Sequence, residues 1–335
     1  MITVRSNIEV LSKYTVTKYQ PENKAEWDAF VSSAKNATFL FRRDFMDYHS
    51  DRFEDFSLLA YKDDELLTVL PANRKGDTVY SHQGLTYGSF VLQDSATLFY
   101  AFEAFKAMLQ YLHDAGIAEL DIRVIPTFYN LMPADELEYF LFKADARLLK
   151  RDVLMVIDYA HKLRFRKNRR EGINKAVRNG LEVRIDDNFE GFWNEILIPN
   201  LSRKHGIAPV HTLEEIQLLA SRFPDNIFQV NAYKDDQIVA GTTVFLTKTT
   251  IHPQYVSGNT DKNFFGSLDL VYDHIINKFW DDRRYFDFNI SSEENGRVLN
   301  KGLIFWKETC GARTFTADNY VVKTSAHSSL ILPVK

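Results

Sequence analysis

The chain has 335 residues, 45% hydrophobic and 26% charged, the composition of an ordinary globular protein long enough for two domains. A net charge of −4 argues against a polyanion-binding surface spread over the whole chain, and no DNA partner is expected. A single cysteine, Cys310, excludes an internal disulfide framework and fits a reducing compartment. The opening Met-Ile-Thr-Val-Arg-Ser-Asn lacks the apolar core of a signal peptide. No run reaches the ~20 apolar residues of a membrane span, so a cytoplasmic location is expected.

In chain order, residues 21–35 have helical spacing, with Trp27, Phe30 and Val31 on one face. The segment from Thr38 to Phe53 is dense in aromatic and charged residues and enters a second helix near Asp44. A hairpin around Tyr61, a strand at 77–81 and the Gly-bounded loop Gly84–Gly88 follow. Residues 95–115 form a strongly periodic helix stopped by Gly116. A strand at 119–125, a short helix from Ala134 and a buried strand around Leu154–Ile157 complete the first half. The second half opens with a basic helix ending at Asn179-Gly180. Helices at 189–204 and 212–222, a hairpin around Tyr233 and a strand ending near Ser257-Gly258 come next. Helix 267–280, strand 285–290, helix 295–309 and a strand pair within 313–323 close the chain.

The chain repeats itself. Phe56-Ser-Leu-Leu-Ala-Tyr-Lys-Asp-Asp-Glu-Leu-Leu aligns without a gap to Phe228-Gln-Val-Asn-Ala-Tyr-Lys-Asp-Asp-Gln-Ile-Val, 172 residues later. Each reads as a hairpin with a polar turn. Strands 120–124 and 286–290 echo one another at nearly the same offset. A period this long means two copies of one domain, not a solenoid. A working site belongs in or beside the cleft between copies.

No Walker loop, dinucleotide fingerprint or nucleophile elbow is present. The nine histidines form no metal-ligand pattern, so no metal is expected. Residues 162–178 hold eight Lys or Arg and one Glu. They read as a phosphate-facing helix or as a solvated helix face. Ser257-Gly-Asn-Thr-Asp-Lys-Asn-Phe-Phe-Gly-Ser267 is a strand–loop–helix whose free amides can receive an anion.

Hairpin, strand, glycine-containing loop, helix, strand, helix and closing strands is the element order of the GNAT acyltransferase core, and here it occurs twice. This tandem arrangement resembles the FemABX group of peptidyltransferases. Lys167-x-x-Arg170-x-x-Ile173-x-Lys175-Ala176-x-x-x-Gly180 resembles the basic helix that starts the group's second domain. Phe286-Asp-Phe-Asn-Ile-Ser-Ser-Glu-Glu-Asn-Gly296 with Asn300-Lys-Gly-Leu-Ile-Phe-Trp-Lys307-x-x-x-Gly311 resembles its closing strand–loop–helix. The coiled-coil members of the group match poorly, because no sustained heptads occur.

The resemblance implies an α/β fold of two tandem GNAT-like domains, each a mixed, mostly antiparallel sheet flanked by helices. Residues 1–160 would be an acceptor platform and residues 161–335 an acyl-donor domain. It implies acyl or aminoacyl transfer to an amine of a cell-envelope precursor or sugar. No cofactor would be held permanently. The donor would be a co-substrate: aminoacyl-tRNA, acyl-CoA or an acyl carrier. The acceptor would be a small-molecule or lipid-linked amine. An acetyl-CoA-dependent N-acetyltransferase and a non-catalytic twin-domain binding protein are the alternatives.

Asp287 and Asn289, on a strand that lies beside the donor channel in GNAT folds, are the expected catalytic residues, with His49 as a further base. The expected donor site comprises Ser257, Gly258, Lys262, Asn263, Phe265, Gly266 and Ser267, with Lys307 from the last helix. The expected acceptor residues are Arg42, Arg52, His82 and Tyr87, with Lys167 and Arg170 from the basic helix. One departure bears on the donor. CoA-type loops resemble Arg/Gln-x-x-Gly-x-Gly/Ala, and alignment on Gly266 puts Asn263 first and Leu268 last. Leu268 would crowd a pyrophosphate that small residues admit.

Overall fold

A computed structural model describes residues 14–333 apart from Asp281. The first half begins with β1 (Tyr14–Lys18) and α1 (Lys24–Ser33), which buries Trp27, Phe30 and Val31. The hairpin of β2 (Leu58–Lys62) and β3 (Glu65–Leu70) comes next, then β4 (Thr78–Tyr80). Helix α2 (Leu98–Asp114) is capped by Thr97, whose side chain accepts the Tyr100 amide, and Gly116 follows it at φ +76°. β5 (Glu119–Arg123), α3 (Glu136–Lys143) and the long β6 (Arg147–Asp158) end this half.

The second half runs α4 (Lys167–Arg178), β7 (Glu182–Asp186), a helical stretch from Phe189 to His205, then α5 (Leu213–Arg222). The helical stretch contains a π-turn at Phe192–Leu197 just before Pro199, whose missing amide breaks the regular ladder. β8 (Ile227–Lys234), β9 (Gln237–Leu246) and β10 (Thr250–Gly258) lead to α6 (Ser267–Asn277). β11 (Tyr285–Ile290), α7 (Lys301–Thr309) and β12 (Arg313–Lys323) follow.

Two expectations fail here. The helix expected from 295 starts at Lys301, because Glu294, Asn295 and Gly296 all have left-handed backbones. They turn a small hairpin between Ser292–Glu293 and Val298–Leu299. Asn300 then caps α7 by accepting the Leu303 amide. The expected strand pair at 313–323 is one strand of 11 residues. Its turn-like Asp318-Asn319 produces only a register shift at Asn319–Tyr320, because both edges of the strand are paired.

The duplicated segments are alike in detail. In both hairpins the register shifts between Ala and Tyr, at Ala60/Tyr61 and at Ala232/Tyr233. Both Asp residues of each turn are left-handed, the backbone of a two-residue type I′ turn. In each copy a crossover helix then joins two parallel strands: α2 joins β4 to β5, and α6 joins β10 to β11.

One sheet joins the copies. Its order is β7-β8-β9-β10-β11-β6-β12-β5-β4, continued by the short strands Asn73–Lys75 and Glu54–Asp55. A smaller sheet holds β1-β2-β3 and Val91–Leu92. β6, the last strand of the first half, pairs with β11 of the second. β12, the last strand of the second half, pairs with β5 of the first. The two exchanged strands pair with each other in the middle.

Aromatic side chains fill the junction as well as each core. Phe39 packs on Phe223 and Phe245 across it, with ring centroids 5.4 and 5.6 Å apart. The first core gathers Phe90, Phe102, Phe105 and Phe140, and the second Tyr272, Phe286, Phe288 and Trp306. Each such buried ring contributes roughly 1.5–3 kcal/mol.

Candidate functional site

The site forms where two parallel strands part. β10 and β11 share only two register pairs, Thr250↔Tyr285 and Ile251↔Phe286. Beyond them β10 bulges at Gln254, because Thr243 faces Tyr255 while the next residue, Val244, faces Pro253. β11 loses its regular pairing to β6 between Asp287 and Ile290, where Asn289 sits at φ +68°. The first copy closes the equivalent gap. There Ser81 Oγ accepts the Arg123 amide at 2.8 Å, and the Gly88 amide donates to Arg123 O at 3.1 Å.

Asp287 lies at the point of parting and is only 2% exposed. Its Oδ2 accepts the Tyr129 hydroxyl at 2.9 Å and lies 3.0 Å from His252 Nδ1. Its Oδ1 accepts the Asn289 amide at 2.7 Å. His252 Nε2 is 3.1 Å from Gln254 Oε1, so both ring nitrogens face oxygen acceptors. Burial and the Asp287 charge push the Tyr129 phenol well up, so it remains a donor. Tyr87, also pushed up by burial, packs on Tyr129 at 4.6 Å and donates to Thr38 Oγ1.

Lys307 reaches beneath β11 from α7. Its ammonium donates to Asn289 O at 2.9 Å, Ile290 O at 3.0 Å and Ser291 Oγ at 2.8 Å, which uses all three of its protons. Burial lowers its pKa to about 8, against the opposing pull of Asp287.

Asp287, Asn289, Tyr87 and Tyr129 face a cavity of about 390 Å³ between the copies. Its other walls come from β5, β6, β12 and the end of β11 and are polar as well as apolar: Arg123, Lys150, Asp152 and Asp318 beside Leu149 and Ile290. Asp152 is paired with Lys150 at 2.6 Å and accepts from Ser292 Oγ.

A second cavity, about 300 Å³, contains His49 and Arg52 and is bounded on the other side by His211 and Gln254. His82 stacks behind His49 at 5.2 Å. Burial lowers the pKa of all three histidines, that of His82 to about 3 and that of His211 to about 4. Thr86 lines both cavities. Arg42 lines neither; it is exposed and donates to Ser32 Oγ. The neighbouring Arg43 is buried against Asp47 and Asp55 and over the Tyr19 ring.

The 257–267 loop and the basic helix come together, but they line neither cavity. α4 sits directly on the start of α6. A Cβ on Gly266, which has φ +74°, would stand 2.3 Å from Gly172 O, and one on Gly172 would stand 1.8 Å from Asp269 Oδ2. Arg169 pairs with Asp269, and Lys175 donates to Asn263 O at 3.4 Å. Ser257 and Ser267 are buried, Gly258 packs on Lys262, and Phe265 packs on Phe264. Burial, with Lys204 and Arg203 nearby, lowers the Lys262 pKa to about 8. Lys167 and Arg170 are exposed on α4.

Sequence reasoning missed Tyr129, His252 and Gln254. A histidine and a proline inside the apolar run Thr250-Ile-His-Pro253 were the available signal for two of them. Tyr129 carried none, since its partner lies 158 residues away.

No protein-family model and no curated protein matches the sequence. Solved structures do match. FemX is similar over 95% of this chain and 99% of its own, with a TM-score of 0.64 and 10% identity. L-PGS from Bacillus licheniformis is similar over 93% of this chain and 95% of its own, with a TM-score of 0.57 and 12% identity. A conserved protein of unknown function from Bacteroides thetaiotaomicron also has a TM-score of 0.57, at 12% identity, over 93% of this chain and 99% of its own. At such identities the likeness is one of fold, and the fold is that of FemX.

Proposed function

We propose that this protein transfers an acyl or aminoacyl group to an amine held in the Asp287 cavity. The observation that carries this reading is a buried carboxylate, bonded to Tyr129 and His252, where β10 and β11 part beside a cavity of about 390 Å³. Asp287 favours an ammonium group there, whereas Asp152 and Asp318 are already paired with Lys150 and Arg151. Asp287 takes one proton from the ammonium, with His252 and Tyr129 fixing the carboxylate. The freed nitrogen attacks the acyl carbonyl carbon, and the carbonyl π electrons move to oxygen. Gln254, left unpaired by its bulge, offers that oxyanion a backbone amide. Collapse breaks the bond to the leaving oxygen or sulfur, which takes the second proton of the nitrogen. Lys307 braces the Asn289–Ser291 backbone and places a cation beneath the reacting atoms.

The donor is best read as an aminoacyl ester on tRNA. α4 seated on the start of α6, together with Leu268, leaves little room for a CoA pyrophosphate. Lys167 and Arg170 on the exposed face of α4 suit a polyanionic carrier. Residues 1–160 then serve mainly as the acceptor platform and residues 161–335 as the donor side, each lending its last strand to the other. Leu149 and Ile290 in the same cavity as the Asp287 carboxylate suit an amine on a lipid-linked or other cell-envelope precursor.

The test is transfer of radiolabelled amino acids from a set of charged tRNAs, and of acetyl groups from acetyl-CoA, to amine acceptors. Asp287→Asn should lower transfer at least ~100-fold. Transfer from acetyl-CoA but not from any charged tRNA would overturn the donor assignment.

A further inference from the structure

Apart from Gln254 on its wall, the second cavity has no part in these steps, yet it is built as a site. We propose that it binds a neutral, planar aromatic ring, either a benzenoid side chain or a nucleobase, by stacking and by hydrogen bonds to His49.

One wall is backed by a column of four rings. His82 stacks on His49 at 5.2 Å and 12°, His49 on Tyr48 at 4.2 Å and 20°, and Tyr48 on His211 at 5.4 Å and 29°. The remaining walls include Phe45, Phe53 and Phe245. Offset stacks and edge contacts with such walls favour another ring over an aliphatic chain of equal size.

Among the described residues the cavity carries no unpaired charge. Burial keeps all three imidazoles neutral at pH 7. Arg52 pairs with Glu215 at 2.7 Å and lies over the Tyr48 ring. A charged ligand therefore finds no free counter-charge there.

Polar capacity is nevertheless left over. His49 is 2% exposed, and among the described residues neither ring nitrogen makes a hydrogen bond of good geometry, although the Met46 and Gly84 backbone lies close. A buried polar group without a partner is costly, and in a native protein it calls for one. Tyr255 accepts the His211 amide and donates to His211 Nδ1 at 2.6 Å, which leaves the His211 proton on Nε2. The loop is shaped around the column. His82 is held at φ +68°, and any Cβ on Gly84 would stand 2.2 Å from His49 Nε2. A heteroaromatic or amide-flanked ring can stack here and also pair with His49, which an aliphatic group cannot do.

The test is calorimetry on the full chain with adenosine, N-acetyl-L-phenylalaninamide and N-acetyl-L-leucinamide. No acyl donor is present, so the result is independent of whether transfer occurs. At least one ring compound should bind, and the leucine compound should bind at least tenfold more weakly. Adenosine alone would identify a nucleobase site, and the phenylalanine compound alone a benzenoid one. Val210 lines the mouth and is 74% exposed, so Val210→Trp blocks entry without touching the core. It should weaken binding at least tenfold, and His49→Phe should weaken it severalfold. The proposal falls if neither ring compound binds, if the leucine compound binds as well as they do, or if Val210→Trp binds like the parent.

Discussion

Asp287 is a buried carboxylate and Glu138 a half-buried one, and their surroundings differ. Asp287 is bonded on both oxygens, whereas Glu138 Oε2 is buried without a partner among the described residues. Burial raises the Glu138 pKa to about 7, and the charges of Asp135 and Asp318 add to the shift. The folded chain then binds more protons than the unfolded chain between about pH 4.5 and 7. The stability this group contributes is full below that window and is lost as pH rises through it. Glu138→Gln should therefore raise the melting temperature at pH 8 and leave it nearly unchanged at pH 4.5. Equal shifts at the two pH values would contradict the assignment. The alternation of Asp287 and Asn289 with Phe286 and Phe288 was legible in the sequence because a strand has period two. His252 and Tyr129 were not, because what defines them is a contact between distant segments.

At the level of elements, what matters is which strands and helices are allowed to separate. β10 and β11 part, while α4 and α6 are locked by two glycines. Gly266 and Gly180 both have positive φ, but only Gly266 faces another backbone: nothing lies within 4 Å of a Cβ on Gly180. Alanine at Gly180 should cost about 1 kcal/mol for its backbone conformation alone. Alanine at Gly266 should cost at least about 2 kcal/mol more, because the Gly172 carbonyl must move. Urea unfolding of the two variants measures the difference, and equal losses would show that α4 does not press on α6. The helices and hairpins were legible from periodicity and turn residues. The hairpin at 292–299 was not, because Asn300 can cap a helix only after the preceding residues have turned left-handed.

At the level of the whole molecule, the duplication was visible in the sequence and the strand exchange was not. β6 and β12 have ordinary apolar patterns, and nothing local says that each will pair with the other copy's sheet. The exchange makes the halves interdependent. The full chain should unfold in one transition by heat or urea, and residues 1–160 expressed alone should lack native-like near-UV circular dichroism, since β6 would lose both its partners. Two separate transitions, or a folded first half, would contradict this. The same exchange carries β6 and β12 into the wall of the cavity beside Asp287, so the cavity exists only when both copies are assembled.

The role of Asp287 is decided by the single-turnover rate of aminoacyl transfer from charged tRNA to an amine acceptor, for the parent chain and for Asp287→Asn at matched folding. The parent should transfer, and the variant should lose at least ~100-fold with donor binding retained. Transfer by Asp287→Asn at the parent's rate would contradict it.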